Sequence, residues 1–438
     1  MIPRETPNRT EPTTMAPRLD LRRACAAALL LAATALAACD TKVVNPGRIN
    51  DQYLQDQLAQ PAIVNGAGRA LASGINWVGY TGAAIAREIH PAGSTGSFGI
   101  TPQWQRGQLD AADRDLNDQW EQTQRARWTA EHAAAVVEAK PLSDTLLARS
   151  YIYAGFANRV LGDNMCDAVI DGGAKQANSE YWKRAEDYFT KAMAHGTAAQ
   201  KQQAQAGRAQ ARVWLGKWTE AVADAQAIPT TFSYAVPYFD IGDQAQYNRI
   251  QWSIGNKPYR AHTEWNTWVE KYYADTKDPR VAYTRPLDAQ GKEMQGDAAI
   301  ECCGKVPWYP EAKYTSPASA IRLASGREMR LIEAEAKLRA NDFAGALTLI
   351  NAVRTDAKAP AVTASTLADT WTLLKRERAI ELWLESRRLG DLRRWKADNT
   401  PGALDPLEQV GAQSHLVKQD LCFPISPSEK DTNPNLQS

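Results

Sequence analysis

A pair of helix-turn-helix patterns, far apart in the chain, most constrains the fold. In "AQAGRAQARVWLGKWTEAVADAQAIP" (204–229), small residues line a first helix. A Leu215-Gly216 turn follows, then Trp218, Ala221 and a second small-residue helix that stops at Pro229. In "EMRLIEAEAKLRANDFAGALTLINAVR" (328–354), Ala334 and Ala336 sit where helices approach closely, and Asn341-Asp342 makes the turn. Phe343 and Ala346 stand to that turn as Trp218 and Ala221 stand to Leu215-Gly216. One such pair cannot bury its own apolar face, so the two are expected to stack in one superhelical scaffold.

This is the grammar of a tetratricopeptide repeat. Residues 119–139, 146–163 and 181–196 carry further helical periodicity. The fold class expected is therefore mainly α, a tetratricopeptide-like helical-repeat scaffold. Residues 51–228 would form its first part. Residues 316–438 would supply a repeat pair, a charged helix and an irregular C-terminal tail.

Between them, 229–315 reads as a loop-rich insertion. Prolines at 229, 237, 258, 279, 286, 307 and 310 break any long helix, and the stretch holds 15 of the chain's 36 Phe, Trp and Tyr residues. Flat aromatic faces outside regular helices suit stacking on sugar rings or other amphipathic ligands. Trp77, Tyr80, Trp104, Trp252 and Trp308 are the ligand-binding candidates, because each lies in a Gly-, Pro- or Asn-bearing context rather than a helical one.

The charge balance, 51 Lys and Arg against 50 Asp and Glu, argues against a nucleic-acid partner, which would be met by clustered positive charge. At the amino end, Arg18, Arg22 and Arg23 precede a small or apolar run from Ala24 to Ala38. That run is shorter than the ~20 residues of a membrane span and reads as an export signal over 1–38, with Met15 an alternative start. Leu36-Ala37-Ala38-Cys39 is similar to a bacterial lipobox, which makes Cys39 the expected lipidated residue and 39–50 an anchored linker. Asp40 leaves inner- against outer-membrane sorting open.

An exported chain permits disulfides, and Cys166, Cys302, Cys303 and Cys422 admit three connectivities. No metal is expected, since adjacent Cys302-Cys303 lacks the C-x-x-C spacing of zinc sites. No cofactor is expected either. The chain has no H-E-x-x-H, G-x-S-x-G or phosphate-loop motif, so no catalytic residue is assigned.

In "ELWLESRRLGDLRRWK" (381–396), with Glu377 before it, acids recur every four residues. Paired acids could serve a glycosidase, but arginines beside them lower carboxylate pKa and disfavour a proton donor. Glu377, Arg378, Glu381, Glu385, Arg388, Asp391 and Arg394 are read instead as a structural ion network. Gly390 would stop the helix and Asp391 cap the next.

The segment 374–396 resembles SusD/RagB-like nutrient-uptake lipoproteins at Glu377, Arg378, Glu381, Glu385, Arg388, Asp391, Arg394 and Trp395. Asn351 and Arg354, the "TKDPRVAYT" element at 276–284 and the tail "FPISPSEKDTNPNL" are similar to further elements of that family. Ser426 replaces a usual proline, and Ser426 to Glu429 reads as a capping box. The resemblance implies a non-enzymatic protein, anchored by lipid at the surface of the outer membrane. It would bind a glycan or other small nutrient and serve a SusC-like TonB-dependent transporter. The alternative is a tetratricopeptide-type scaffold lipoprotein for envelope protein assembly.

Overall fold

Helices are set by local caps and by small residues at their contacts. The computed structural model describes residues 56–255 and 257–437, so the signal segment, Cys39 and the linker to residue 50 lie outside the described residues. Six helices follow in order: α1 (Gln60–Ile85), α2 (Leu116–Ala139), α3 (Asp144–Asn164), α4 (Ser179–Ala194), α5 (Ala198–Trp214) and α6 (Trp218–Gln226). Each packs on the next. Ser143 caps α3 through the Leu146 N–H, and Thr197 and Gln200 close a reciprocal capping box on α5. The Phe189 ring of α4 lies against Gly155 of α3 and Gly207 of α5, where a Cβ would overlap it. Adding one there should cost about 1–3 kcal/mol by overpacking.

The second half supplies α7 (Trp268–Thr276), α8 (Gly326–Arg339), α9 (Phe343–Asp356), α10 (Leu367–Glu381) and α11 (Arg388–Ala397). Helix α8 packs on α6, α9 and α10, so the two distant repeat pairs do stack. Their turns share one backbone solution. Gly216 and Asn341 both take left-handed φ, 71° and 62°, the conformation that Gly, and next Asn, adopts at least cost. The mainly α scaffold read from the repeat grammar is the fold observed.

Among the described residues of 229–315, α7 is the one α-helix. The stretch is tied down by short antiparallel pairs, Ser233–Val236 with Ile321–Ser325 and His90–Pro91 with His262–Thr263. A disulfide joins Cys166, just past α3, to Cys422 in the tail, and Cys302 is joined to Cys303.

The charged segment is a buried network that reaches well beyond itself. Arg280 bonds Asp278 and Glu377 at 2.7 Å each, and Arg354 of α9 takes the other Glu377 oxygen at 2.7 Å. Arg378 grips Asp391 through two bonds of 2.8 and 2.9 Å, Arg388 bonds Glu408 at 2.7 Å, and Arg394 pairs with Glu335 of α8. Burial alone would raise the Asp391 carboxyl, but Arg378 and Arg394 hold it down to about 2.

Two expectations about this segment are corrected. The helix does not run on to Gly390. Leu384 and Ser386 take φ near 60°, so α10 ends at Glu381 and Glu385 sits in the connection. Glu88 accepts from the Leu384 N–H at 3.1 Å, and Lys313 and Arg322 bind Glu385 at 2.6 and 2.7 Å, which holds the turn. Gly390 and Asp391 then lie inside α11, with Asp391 in its first turn as a partner of Arg378 rather than a cap. The capping box at 426–429 is half made. Ser426 accepts from the Glu429 N–H, but the Glu429 carboxylate takes the indole N–H of Trp120 and the amide of Asn433.

Candidate functional site

A cleft of about 770 Å³ opens where α1 meets the 95–98 turn and the segment 244–259. Asn76 of α1 sets its geometry. Its amide donates to the Tyr247 carbonyl at 2.7 Å, and its Oδ1 accepts from the Arg249 N–H at 3.0 Å, pinning the neighbouring backbone to the helix. Asn248 then accepts from the Ile250 and Gln251 N–H groups and starts the wide turn Gln251–Gly255, which presents Trp252.

The aromatic wall follows from that placement. Trp252 leans on Tyr247 at 5.0 Å and on Tyr259 at 5.5 Å, and Tyr259 meets Phe98 edge-on at 5.2 Å. Across it, the Arg249 guanidinium lies 4.0 Å from the Trp77 ring centre and donates to the Phe98 carbonyl at 2.6 Å. Arg69, Ser73, Gln122 and Gln244 add polar groups to the lining. Rings of intermediate exposure beside convergent amides and guanidinium groups can take the apolar face of a ligand and its hydroxyls together.

The structure divides the five ligand-binding candidates. Trp77 and Trp252 line this cleft and are half-buried. Tyr80, Trp104 and Trp308 do not, and are corrected: they are 0, 0 and 3% exposed. Tyr80 bonds His262 at 3.0 Å, the Trp104 indole donates to Asp113 at 3.0 Å, and the Trp308 indole donates to the Ile254 carbonyl at 3.2 Å. Tyr80, edge-on to Phe98, and Trp308, bonded beside Trp252, back the cleft, whereas Trp104 packs on Phe423 of the tail. Trp77 and Tyr80 are also helical, because α1 runs through its glycines. Gly74 brings α1 close to Ala126 of α2, and Gly82 brings it close to Leu389 of α11. Phe98, Arg249 and Tyr259 were missed. Tyr259 had the local signal, following Gly255 and Pro258, whereas Arg249 had none.

A second cavity, of about 520 Å³, uses the other side of the 95–98 turn and holds His90, Cys302 and His415 in its lining. These side chains come from a short strand, a turn and a loop far apart in the sequence, which spacing rules on a single segment do not detect.

Comparison with known proteins follows the same residues. Asp278, Arg280, Arg354 and Glu377, from three family-like elements, converge on one buried cluster. The sequence profile of the SusD family matches residues 243–438. Residues 243–438 are SusD-like. The fold of the chain recurs in a SusD superfamily protein from Parabacteroides distasonis ATCC 8503, at TM-score 0.64 and 12% identity, over 86% of this chain and 98% of that one. A SusD-like carbohydrate binding protein from Bacteroides vulgatus ATCC 8482 aligns at TM-score 0.60 and 14% identity, over 87% and 97% of the two chains. A structure with xylogluco-oligosaccharide aligns at TM-score 0.60 and 14% identity, over 87% and 98%. No curated protein matches the chain. No helix among the described residues is long and apolar enough to cross a membrane.

Proposed function

We propose that this chain is a non-enzymatic lipoprotein of the outer-membrane surface. It binds an oligosaccharide in the cleft between α1 and the 244–259 segment and delivers it to a SusC-like TonB-dependent transporter. The observation that carries the reading is the wall of Trp77, Trp252 and Tyr259 beside Arg69 and Arg249 in a cleft of about 770 Å³. That size lies within the range of small-molecule sites. The carbohydrate-binding and oligosaccharide-bound proteins of the same fold support a glycan as the ligand. With no spanning helix among its described residues, the chain needs a separate pore for uptake, and lipid on Cys39 would keep it beside one.

The test is a pull-down of the tagged lipoprotein from detergent-solubilised native membranes, read by mass spectrometry, with calorimetry of the purified chain against neutral oligosaccharides. Recovery of a large TonB-dependent barrel and binding of at least one oligosaccharide support the proposal. Envelope assembly proteins without a barrel, and no oligosaccharide bound, would favour the scaffold instead.

A further inference from the structure

The cavity beside the 95–98 turn contains a donor set that the oligosaccharide reading does not use. His90 on its short strand, Cys302 and Cys303 in one turn, and His415 in the 411–416 loop bring their ligating atoms within 4.8 Å of one another. Cys303 Sγ is already 3.4 Å from His415 Nε2. Two ligands on one tetrahedral ion stand about 3.3–3.8 Å apart, given metal bonds of about 2.0–2.3 Å. The remaining pairs that involve a histidine close by at most about 1 to 1.5 Å, while the two sulfurs, bonded to each other here, move apart once reduced.

The tautomer of His90 is fixed by its surroundings. Its ring is fully buried, and Nδ1 lies 2.7 Å from the Pro91 carbonyl. A carbonyl only accepts, so Nδ1 carries the proton and Nε2 is left as a bare lone pair. That Nε2 has no protein partner. A histidine whose far nitrogen donates to a backbone carbonyl is oriented as metal-binding histidines are. An unpaired buried acceptor is otherwise a cost to the fold.

We infer that His90, Cys302, Cys303 and His415 form a site for one thiophilic d10 metal ion, of the zinc(II) class, in the reduced chain. Two imidazoles and two thiolates in a tetrahedral arrangement select such an ion over calcium or magnesium. Arg87 lines the same cavity and would repel a cation held by neutral ligands alone. The two thiolates offset it, which makes occupancy depend on the redox state. A dithiol reductant supplies two electrons and two protons to the Cys302–Cys303 bond and is itself oxidised to a disulfide. Each thiol then releases its proton as its sulfur takes the metal. When the Cys302–Cys303 bond forms, the site loses both anionic ligands.

The test titrates the full chain with zinc(II), before and after reduction by a dithiol and its removal under anaerobic conditions, with cobalt(II) as a spectroscopic probe. The expected result is one zinc per reduced chain, none on the oxidised chain, and thiolate-to-cobalt charge-transfer absorption. C302S/C303S should abolish this, and His415→Ala, at a half-buried position, should weaken binding at least about 10-fold with the melting temperature retained. The double serine variant keeps Cys166 and Cys422, so zinc binding that survives in it overturns the inference, as does a reduced chain that takes no zinc.

Discussion

The Arg249 guanidinium lies 4.0 Å from the centre of the Trp77 ring, and its own backbone N–H is held by Asn76, one residue before that tryptophan. Helix α1 and the 244–259 segment thus share one cation–π contact at the cleft wall. Such a contact is worth about 0.5–2 kcal/mol depending on desolvation. Arg249→Met should keep the fold, release the Trp77 face and remove a donor. Calorimetry with a bound oligosaccharide should show Kd rising about 10-fold, equivalent to about 1.4 kcal/mol.

A second prediction concerns Asp391, whose carboxyl is held down to about 2 by Arg378 and Arg394 against the effect of burial. Asp391→Asn leaves both guanidinium groups buried with a weaker partner, and should cost about 3 kcal/mol in denaturant unfolding at neutral pH. Because the folded value lies below the ordinary one, Asp391 stabilises the fold above about 4 and loses that contribution as pH falls toward 2. The gap between variant and parent should narrow over that acid range.

Glu88 has the opposite sign. Burial pushes its carboxyl up to about 8, although the Leu384 N–H and Arg388 pull it down. Between pH ~4.5 and ~8 the unfolded chain gives up a proton that the folded chain keeps, so stability falls as pH rises. Glu311, pushed up to about 7 by burial, adds to the same slope. Glu88→Gln keeps an acceptor for Leu384 and should be more stable than the parent at pH 8 while differing little at pH 4.5. Thermal melts across that window check it.

These residues also show what the sequence made legible. The repeat pairs could be read because their signals are local: Gly216 or Asn341 at the turn, an aromatic two residues on, alanines where helices touch. The charged segment was legible as a network from its composition, but not its partners, since Arg280 and Glu335 lie far from 381–396 in the chain. Trp77 and Tyr80 were misplaced because α1 tolerates glycines that its neighbours fill from outside, which no single-segment rule detects. Arg249 reaches the cleft through a tertiary contact, and the His90–Cys302–Cys303–His415 cluster assembles from a short strand, a turn and a loop.

The Cys166–Cys422 disulfide closes a loop of 256 residues and lies beside the bond from the Cys166 N–H to the Phe423 carbonyl, 2.9 Å. Replacing both cysteines by serine should cost about 5 kcal/mol if chain entropy dominates. The loss should appear as earlier denaturant unfolding, with the tail at 423–436 the first segment to lose protection from hydrogen exchange.

The most direct measurement of the central claim compares oligosaccharide binding by the parent chain, Trp252→Ala and Trp128→Ala in affinity electrophoresis through gels containing a neutral glycan. Trp252 is half-buried in the cleft wall, whereas Trp128 is 52% exposed on α2. Trp252→Ala should lose most of the glycan-dependent retardation while Trp128→Ala keeps it. Full retardation of Trp252→Ala, or its loss in Trp128→Ala alone, would contradict the assignment of the cleft as the glycan site.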